Sequence, residues 1–163
     1  MLKQVAISVL FVGLFSPIAI AQNASQIARV QAGQSCETCN LFQADLSYAE
    51  GKKLNLAATR LRQSNFALST YDDVNLKGAD LSVSNLFGAR FNRTDFTNVN
   101  FKRAIAVGTY FGSSNFAGAD LTGANFSGAD LTIARGLTQS QLNQACGDAS
   151  TRLPKGKTIP TCS

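Results

Sequence analysis

The sequence contains no histidine and no tryptophan, and its 163 residues include only one methionine and three prolines. Histidine is the commonest general base and the commonest transition-metal ligand, so its absence removes most known catalytic and metal-binding arrangements. No catalytic constellation of other residue types is apparent, and we predict a non-enzymatic protein with no cofactor and no metal. Charged residues make up 15% of the chain, below the roughly 25% of an average soluble protein, which argues against charge-driven disorder.

The N-terminus is typical of a secretory signal peptide. Lys3 supplies the positive charge, Val5–Phe15 form an apolar stretch, and Ala19–Ile20–Ala21 match a small-residue cleavage site. We expect residues 1–21 to be removed, which leaves no membrane anchor and a net charge of +4 once Lys3 is lost from a chain of net charge +5. A retained anchor is the alternative, but the apolar stretch is shorter than the ~20 residues that a membrane span needs. We expect export to the periplasm, or to the thylakoid lumen if the source is cyanobacterial.

Large apolar residues recur at every fifth position from Leu41 to Leu131. Sixteen of the 19 positions in this register are Leu or Phe, and the exceptions are Gly51, Tyr71 and Ala106. The residue two positions earlier is nearly always small, and the residue just before is commonly Asn or Asp. A period of five fits neither a helix nor a simple strand. It indicates a solenoid in which each pentad forms one side of a coil and the large residue points inward.

The pattern resembles the pentapeptide-repeat family. The family motif A-(D/N)-L-x-x is met through residues 39–133 and is clearest in Ala119–Asp120–Leu121–Thr122–Gly123. The resemblance implies an all-β solenoid, a right-handed quadrilateral β-helix with four pentads per coil and therefore about five coils. We predict this β-helix over residues 39–137, between an N-terminal cap at 22–38 and a C-terminal cap at 138–163.

Both ends of the repeat region carry signals for short α-helical caps. Residues 25–34 predict a short helix or turn with Ile27 and Val30 on its buried side. At the other end, Thr138 and Gln141 match a capping box, which predicts a helix over residues 138–146. Such caps would close the open coils, which otherwise expose unpaired backbone edges.

Four cysteines in an exported chain favour two disulfides, and three pairings are possible. We favour Cys36 with Cys39 and Cys146 with Cys162, because cross-links at the rim of the repeat region would constrain the unfolded chain. Free thiols, a redox motif and a cysteine-only zinc site are the alternatives. No thioredoxin-like pattern surrounds Cys36 and Cys39, and an oxidising compartment disfavours zinc.

Four pentads per coil give four outward faces, which we number from the pentad centred on Leu41. The second face is apolar at positions where the family usually has polar or small residues, which makes it a candidate interaction face for a protein partner or a second copy of the chain. Scattered surface hydrophobes are the alternative interpretation. The residues of this candidate face are Tyr48, Leu68, Phe87, Ile105 and Val107.

Charged residues line up on the first and third faces. On the third face, Asp72 and Asp73 could be taken for paired catalytic carboxylates, but they lie one coil from Lys52 and Lys53. We therefore predict opposite-charge ladders there. The first face carries a basic stripe, which could meet an acidic partner, although a solvated face is the simpler interpretation. The stripe consists of Arg60, Arg62, Lys102 and Arg103.

The sequence thus predicts an exported, non-enzymatic scaffold that binds a protein partner or itself through the second face. The family resemblance raises one alternative, since some pentapeptide-repeat proteins protect type II topoisomerases by imitating duplex DNA. That role needs a strongly acidic rod in the cytoplasm, which the export signal and the positive charge disfavour. No nucleic-acid contact is expected, because the aromatic residues point inward and offer no stacking platform.

Overall fold

Residues 22–163 are described in the computed structural model, and the expected signal peptide at residues 1–21 lies outside them. Two helices and one three-stranded parallel sheet occur among the described residues. No helix in this part of the chain has the length and apolar character that a membrane crossing requires. The elements in chain order are α1 (Ala24–Gln31), β1 (Glu50–Lys52), β2 (Thr70–Asp72), β3 (Arg90–Asn92) and α2 (Gln139–Leu142).

Parallel backbone pairing between residues 20 positions apart organises the chain between the two helices. The strands β1, β2 and β3 pair in this step, so that Gly51 lies beside Tyr71 and Tyr71 beside Phe91. Parallel bridges repeat the same step through residues 40–135. Four pentads fill each step, so the chain is a β-helix of pentapeptide repeats. We call each step of 20 residues a coil and number the coils from the one that starts at Cys39.

The central residue of every pentad from 41 to 131 is buried, as the register predicts. The buried phenylalanines form a continuous aromatic column, and the Phe111 ring centroid lies 5.2–6.4 Å from five others. Edge-to-face and stacked contacts of this kind add about 0.5–1.5 kcal/mol each beyond burial. Gly51 makes room for its neighbour in the next coil, since a Cβ there would lie 2.4 Å from the Tyr71 ring. Burial raises the pKa of the Tyr71 hydroxyl.

The Asn or Asp before each centre closes a turn and also connects two coils. The Asn65 Oδ1 accepts the Ala67 N–H at 3.1 Å, and the Asn85 Oδ1 accepts the Phe87 N–H at 3.1 Å. The Asn85 Nδ2 donates to the Asn65 Oδ1 at 3.1 Å, which extends the contact along the solenoid. This two-sided use of a short amide side chain explains why the position is so often Asn or Asp.

Helix α1 supplies hydrogen-bond partners to the first coil. Asn23 caps the helix by accepting the Gln26 N–H at 3.2 Å. The Gln26 side chain in turn accepts the Asn40 N–H at 2.7 Å, and the Gln31 amide donates to the Asp45 carbonyl at 2.8 Å. Val30 is buried in the common core, as expected.

The helix predicted over residues 138–146 ends at Leu142 in the structure, so the prediction is wrong for its second half. Its start is confirmed. The Thr138 hydroxyl accepts the Gln141 N–H at 3.2 Å, and the Gln141 side chain accepts the Thr138 N–H at 2.8 Å. The early end follows from the backbone of Cys146, which donates to Ala124 and accepts from Phe126 in the preceding coil.

Stacking on the last coil continues beyond the helix. Arg152 donates its N–H to the Ala129 carbonyl at 2.9 Å and accepts the Leu131 N–H at 2.7 Å. The exposed edge of the coil offers these hydrogen bonds to any extended segment, whereas a helix of residues 143–146 would leave the edge unpaired. The pairing of the edge therefore outweighs the local helical signal.

The two disulfides are Cys36–Cys39 and Cys146–Cys162, the pairing favoured from the sequence. Their Cα atoms are 5.6 and 4.8 Å apart, within the usual range. The second bond attaches the end of the chain to the stacked segment, where the Cys162 N–H also donates to the Gly147 carbonyl at 2.8 Å.

Asp148 fixes the turn that follows Gly147. Its Oδ1 accepts the Ser150 hydroxyl at 2.6 Å, the Gly128 N–H at 3.0 Å and the Ser150 N–H at 2.9 Å. These hydrogen bonds, with that of the Ser150 hydroxyl the largest, lower the pKa of Asp148 to about 2. One carboxylate thus joins the fifth coil to the chain that stacks on it.

Replacing Phe111 by Ala should lower the free energy of unfolding by about 3–5 kcal/mol, because it opens a cavity among five aromatic rings. Urea unfolding followed by far-ultraviolet circular dichroism would measure the change. Phe87→Ala is the matched control, since Phe87 is 50% exposed and should change stability by no more than about 0.5 kcal/mol. Equal losses in both variants would contradict the assignment of the core.

Acid should weaken the contact made by Asp148. Because folding lowers this pKa, the unfolded chain binds more protons than the folded chain between about pH 4 and pH 2. The stabilisation is complete above pH 4 and is lost as the pH falls through 2. Carbon-13 NMR of the carboxyl group should give a midpoint near 2, and Ser150→Ala should move it upward. A midpoint near 4 in the unmodified protein would refute this.

A candidate interaction surface on the second face

Outward side chains of the second face form three columns that run along the solenoid. The first column is the position before each centre (45, 65, 85, 105 and 125), the second is one after it (47, 67, 87, 107 and 127), and the third is two after it (48, 68, 88, 108 and 128). Consecutive members of a column are about 4.8 Å apart, the spacing of paired strands. Sequence positions 20 apart are therefore immediate neighbours on this surface.

The five residues predicted for this face lie together on its first four coils, and we call them the apolar patch. Tyr48 is 74% exposed, Leu68 47%, Phe87 50% and Ile105 47%, while Val107 is half-buried. Backbone hydrogen bonds hold the neighbours side by side, as between the Leu68 N–H and the Phe87 carbonyl at 2.9 Å. The patch extends for about 14 Å along the solenoid at the spacing of paired strands.

Two residues of the apolar patch occupy backbone positions that suit glycine better. Tyr48 and Leu68 have φ of +58°, a left-handed conformation that side chains with a Cβ adopt at a cost. The next two residues of the same column, Gly88 and Gly108, adopt it freely. The solenoid therefore carries large apolar side chains in its first two coils although its own backbone gains nothing from them.

Ile105 interrupts the amide ladder of the first column. Asp45, Asn65 and Asn85 each accept the N–H two residues ahead, as does Asn125 on the other side of the gap. Isoleucine has no acceptor, so the Val107 N–H loses the hydrogen bond that its counterparts make. Replacing a turn-closing amide by an exposed apolar side chain lowers the stability of the isolated fold. Residues that break a local stabilising pattern in this way concentrate at functional sites.

The basic stripe of the first face is partly neutralised within the chain. The guanidinium of Arg60 lies 5.0 Å from the centroid of the Phe42 ring, a cation–π contact. The ammonium of Lys102 lies 3.2 Å from the Asp120 carboxylate. Hydrogen bonds from Thr122 and the contact with Lys102 hold the pKa of Asp120 below its usual value. Arg62 and Arg103 are exposed and take part in no ion pair within residues 22–163.

The charge ladder predicted on the third face forms in part. Arg93 binds Asp73 through two hydrogen bonds of 2.6 and 2.8 Å across one coil, and this contact holds the pKa of Asp73 below its usual value. Lys52 lies beside Asp72 in the backbone register, and the charges of Lys52 and Lys53 help to lower the pKa of Asp73, but neither lysine forms a close ion pair within residues 22–163. A guanidinium fork can hold a carboxylate in a fixed geometry, whereas an exposed ammonium stays hydrated.

A shallow depression of about 300 Å³ lies beside these strands. Glu50, Lys52, Thr70 and Asp72 line it around Gly51. Within the described chain, no group of three or more carboxylates and cysteines is placed to hold a metal ion. The lining thus combines two carboxylates with one ammonium group.

Ile133 is one exposed apolar residue that the sequence reasoning missed. It is 54% exposed and lies on the third face, two residues after Leu131. The same position in the pentad holds Tyr48 and Leu68 on the second face, so the register alone would have identified it. Ile133 lies apart from the apolar patch and does not extend it.

Comparison with known proteins identifies the repeat. The pentapeptide-repeat family model matches residues 72–103 and 95–132, with eight copies. A pentapeptide repeat protein from the thylakoid lumen of Arabidopsis thaliana is 31% identical over 60% of this chain and 68% of its own, with a TM-score of 0.45. This chain belongs to the pentapeptide-repeat family.

Two other solved pentapeptide-repeat proteins are more distant in sequence. QnrB1, a plasmid-mediated fluoroquinolone resistance protein, is 15% identical over 78% of this chain and 86% of its own, with a TM-score of 0.45. HetL, a protein involved in heterocyst differentiation regulation in the cyanobacterium Nostoc sp. strain PCC 7120, is 19% identical over 70% of each chain, with a TM-score of 0.39. No curated protein matches this pentapeptide-repeat protein in sequence.

Replacing Ile105 by Asn should restore the ladder and raise the free energy of unfolding by about 1 kcal/mol, because the new amide can accept the Val107 N–H. The matched opposite change is Asn85→Ile, which removes the acceptor of the Phe87 N–H and should lower stability by a similar amount. Urea midpoints at constant slope would give both values. A loss of stability in Ile105→Asn would mean that the ladder is not the stabilising feature inferred above.

Proposed function

We propose that this pentapeptide-repeat protein is an exported, non-enzymatic scaffold that binds a protein partner, or a second copy of itself, through the apolar patch. One observation carries the proposal. On the second face, Tyr48 and Leu68 occupy positions where later coils have glycine, and Ile105 occupies a position where other coils have a turn-closing Asn or Asp. These three residues expose apolar surface and lower the stability of the fold. Contiguous exposed apolar surface of this kind is typical of a binding site.

The proposal includes the finer architecture implied by the family. The β-helix is right-handed and four-sided, has about five coils over residues 39–137, and is closed by caps at 22–38 and 138–163. The hydrogen bonds of Gln26 and Gln31 to the first coil support the N-terminal cap. The pairing of Cys146 and Arg152 with the last coil supports the C-terminal one.

Export through a signal peptide at residues 1–21 to the periplasm or a thylakoid lumen is part of the same proposal. Two disulfides fit an oxidising compartment, and the similar Arabidopsis protein comes from a thylakoid lumen. Pentapeptide repeats generally form structural rather than catalytic proteins, which agrees with a scaffold. Imitation of DNA toward a topoisomerase is disfavoured by the net charge of +5.

Photo-crosslinking in the native host tests the binding surface. A photoreactive phenylalanine at position 87 should give discrete adducts, because Phe87 lies in the middle of the apolar patch. The same group at Lys77, which is exposed on the fourth face, is the matched control and should give none. Mass spectrometry would identify the adducts. Equal labelling at both positions, or no adduct at position 87, would refute a specific interaction through the second face.

A further inference from the structure

The large and small residues of the second face alternate in a way that makes the face complementary to itself. In the third column, Tyr48 and Leu68 in the first two coils are followed by Gly88 and Gly108 in the next two. In the second column the order is reversed, since small Ser47 and Ala67 precede large Phe87 and Val107. The second and third columns therefore each have one large half and one small half.

We infer that the occupant of the apolar patch is a second copy of this chain, packed antiparallel about a two-fold axis between the second and third coils. This inference rests on the proposed function, because it takes the second face as the binding surface. The axis exchanges coil one with coil four and coil two with coil three. It places Tyr48 over the partner copy's glycine at position 108, and Phe87 over its alanine at position 67. A two-fold interface uses the same surface in both copies, as this pattern requires.

Space at the glycines supports the arrangement. A Cβ at Gly108 would meet nothing within 4 Å, so the surface there is open. At Gly88 the position is partly covered, because a Cβ would lie 2.8 Å from the Leu68 Cδ2 of the same chain. Leu68 therefore leans toward the third coil, where the axis passes, and the two copies bring their Leu68 side chains together.

Charges at the rim of the face follow the same two-fold axis. Asp45 and Glu50 flank the first coil, whereas Arg90 and Arg103 flank the third and fourth. All four are exposed, and none takes part in the ion pairs formed within residues 22–163. The antiparallel arrangement brings Asp45 and Glu50 of one copy toward the side of the other that carries Arg90 and Arg103, whereas a parallel arrangement would bring the carboxylates of the two copies together.

The Arg90 side chain leans toward the position that this arrangement requires. Its guanidinium carbon lies 5.0 Å from the centroid of the Tyr110 ring, in the direction of the fourth coil. The two-fold axis places Glu50 of the second copy at the level of the fourth coil. A flat face only four coils long buries less than the ~800 Å² per partner of a standard interface, so we expect a reversible dimer of modest affinity.

Sedimentation equilibrium measures whether the protein dimerises, and it uses the protein in the form that the cell accumulates. Gly108→Asn fills the space opposite Tyr48, and asparagine tolerates the φ of +66° found there. It should raise the dimer dissociation constant by about tenfold or more. Gly78→Asn is the matched control, since Gly78 has φ of +67° and open space on the fourth face. A monomer at every concentration, or equal effects of both variants, would overturn the inference.

Crosslinking from position 87 of the purified protein determines the orientation. A mixture of nitrogen-14 and nitrogen-15 chains distinguishes crosslinks between two copies from crosslinks within one copy. In adducts of doubled mass, the photoreactive group at position 87 should be attached near Ala67 of the other copy. Mapping near position 87 itself would show a parallel dimer and overturn the antiparallel axis. In the native host, adducts with a different protein alone would overturn the second copy and leave the proposed function standing. No adduct of any kind would refute both.

Discussion

The backbone register of 20 residues is the constraint on which the rest of the structure depends. Many backbone N–H and C=O groups pair with a group one coil away, as between the Phe66 N–H and the Asn85 carbonyl. Because the pairing is parallel and in step, every inward side chain lies on the one before it. The same register places outward residues 20 positions apart side by side. The residues of a surface feature such as the apolar patch are therefore spaced at fixed intervals along the sequence.

The inward-facing and outward-facing residues of such a fold are under nearly independent constraints. The inward residues of the pentads determine whether the coils stack, and all of them from 41 to 131 are buried. The outward positions need only close the turns, which a short amide does most simply. Where the amide is missing, another interaction can replace it, as when Arg90 lies over the Tyr110 ring. Ile105 instead exposes an apolar side chain between Asn85 and Asn125 of the same column.

Most of the fold could be predicted because the pentad register is a local property of the sequence. The buried centres and the position of the apolar patch follow from it, and the start of α2 follows from a separate local motif, the Thr138 capping box. The end of α2 could not be predicted, since the hydrogen bonds of Cys146 to Ala124 and Phe126 depend on an edge that exists only after the coils have stacked. The close ion pairs of the third face could not be predicted for a different reason, because column position does not determine where a long hydrated side chain such as Lys52 points.

The ends and the faces of this solenoid differ in what they offer to a partner. At the ends, α1 and the segment containing Cys146 and Arg152 already pair with the outer coils, which leaves little unpaired edge for another chain. On a face, the backbone is satisfied within the solenoid and only side-chain size and charge can specify binding. Side-chain columns that change from large to small along a flat face can fit a second copy of the same face only when the two solenoids run in opposite directions. An antiparallel pairing can therefore be specified without a curved pocket.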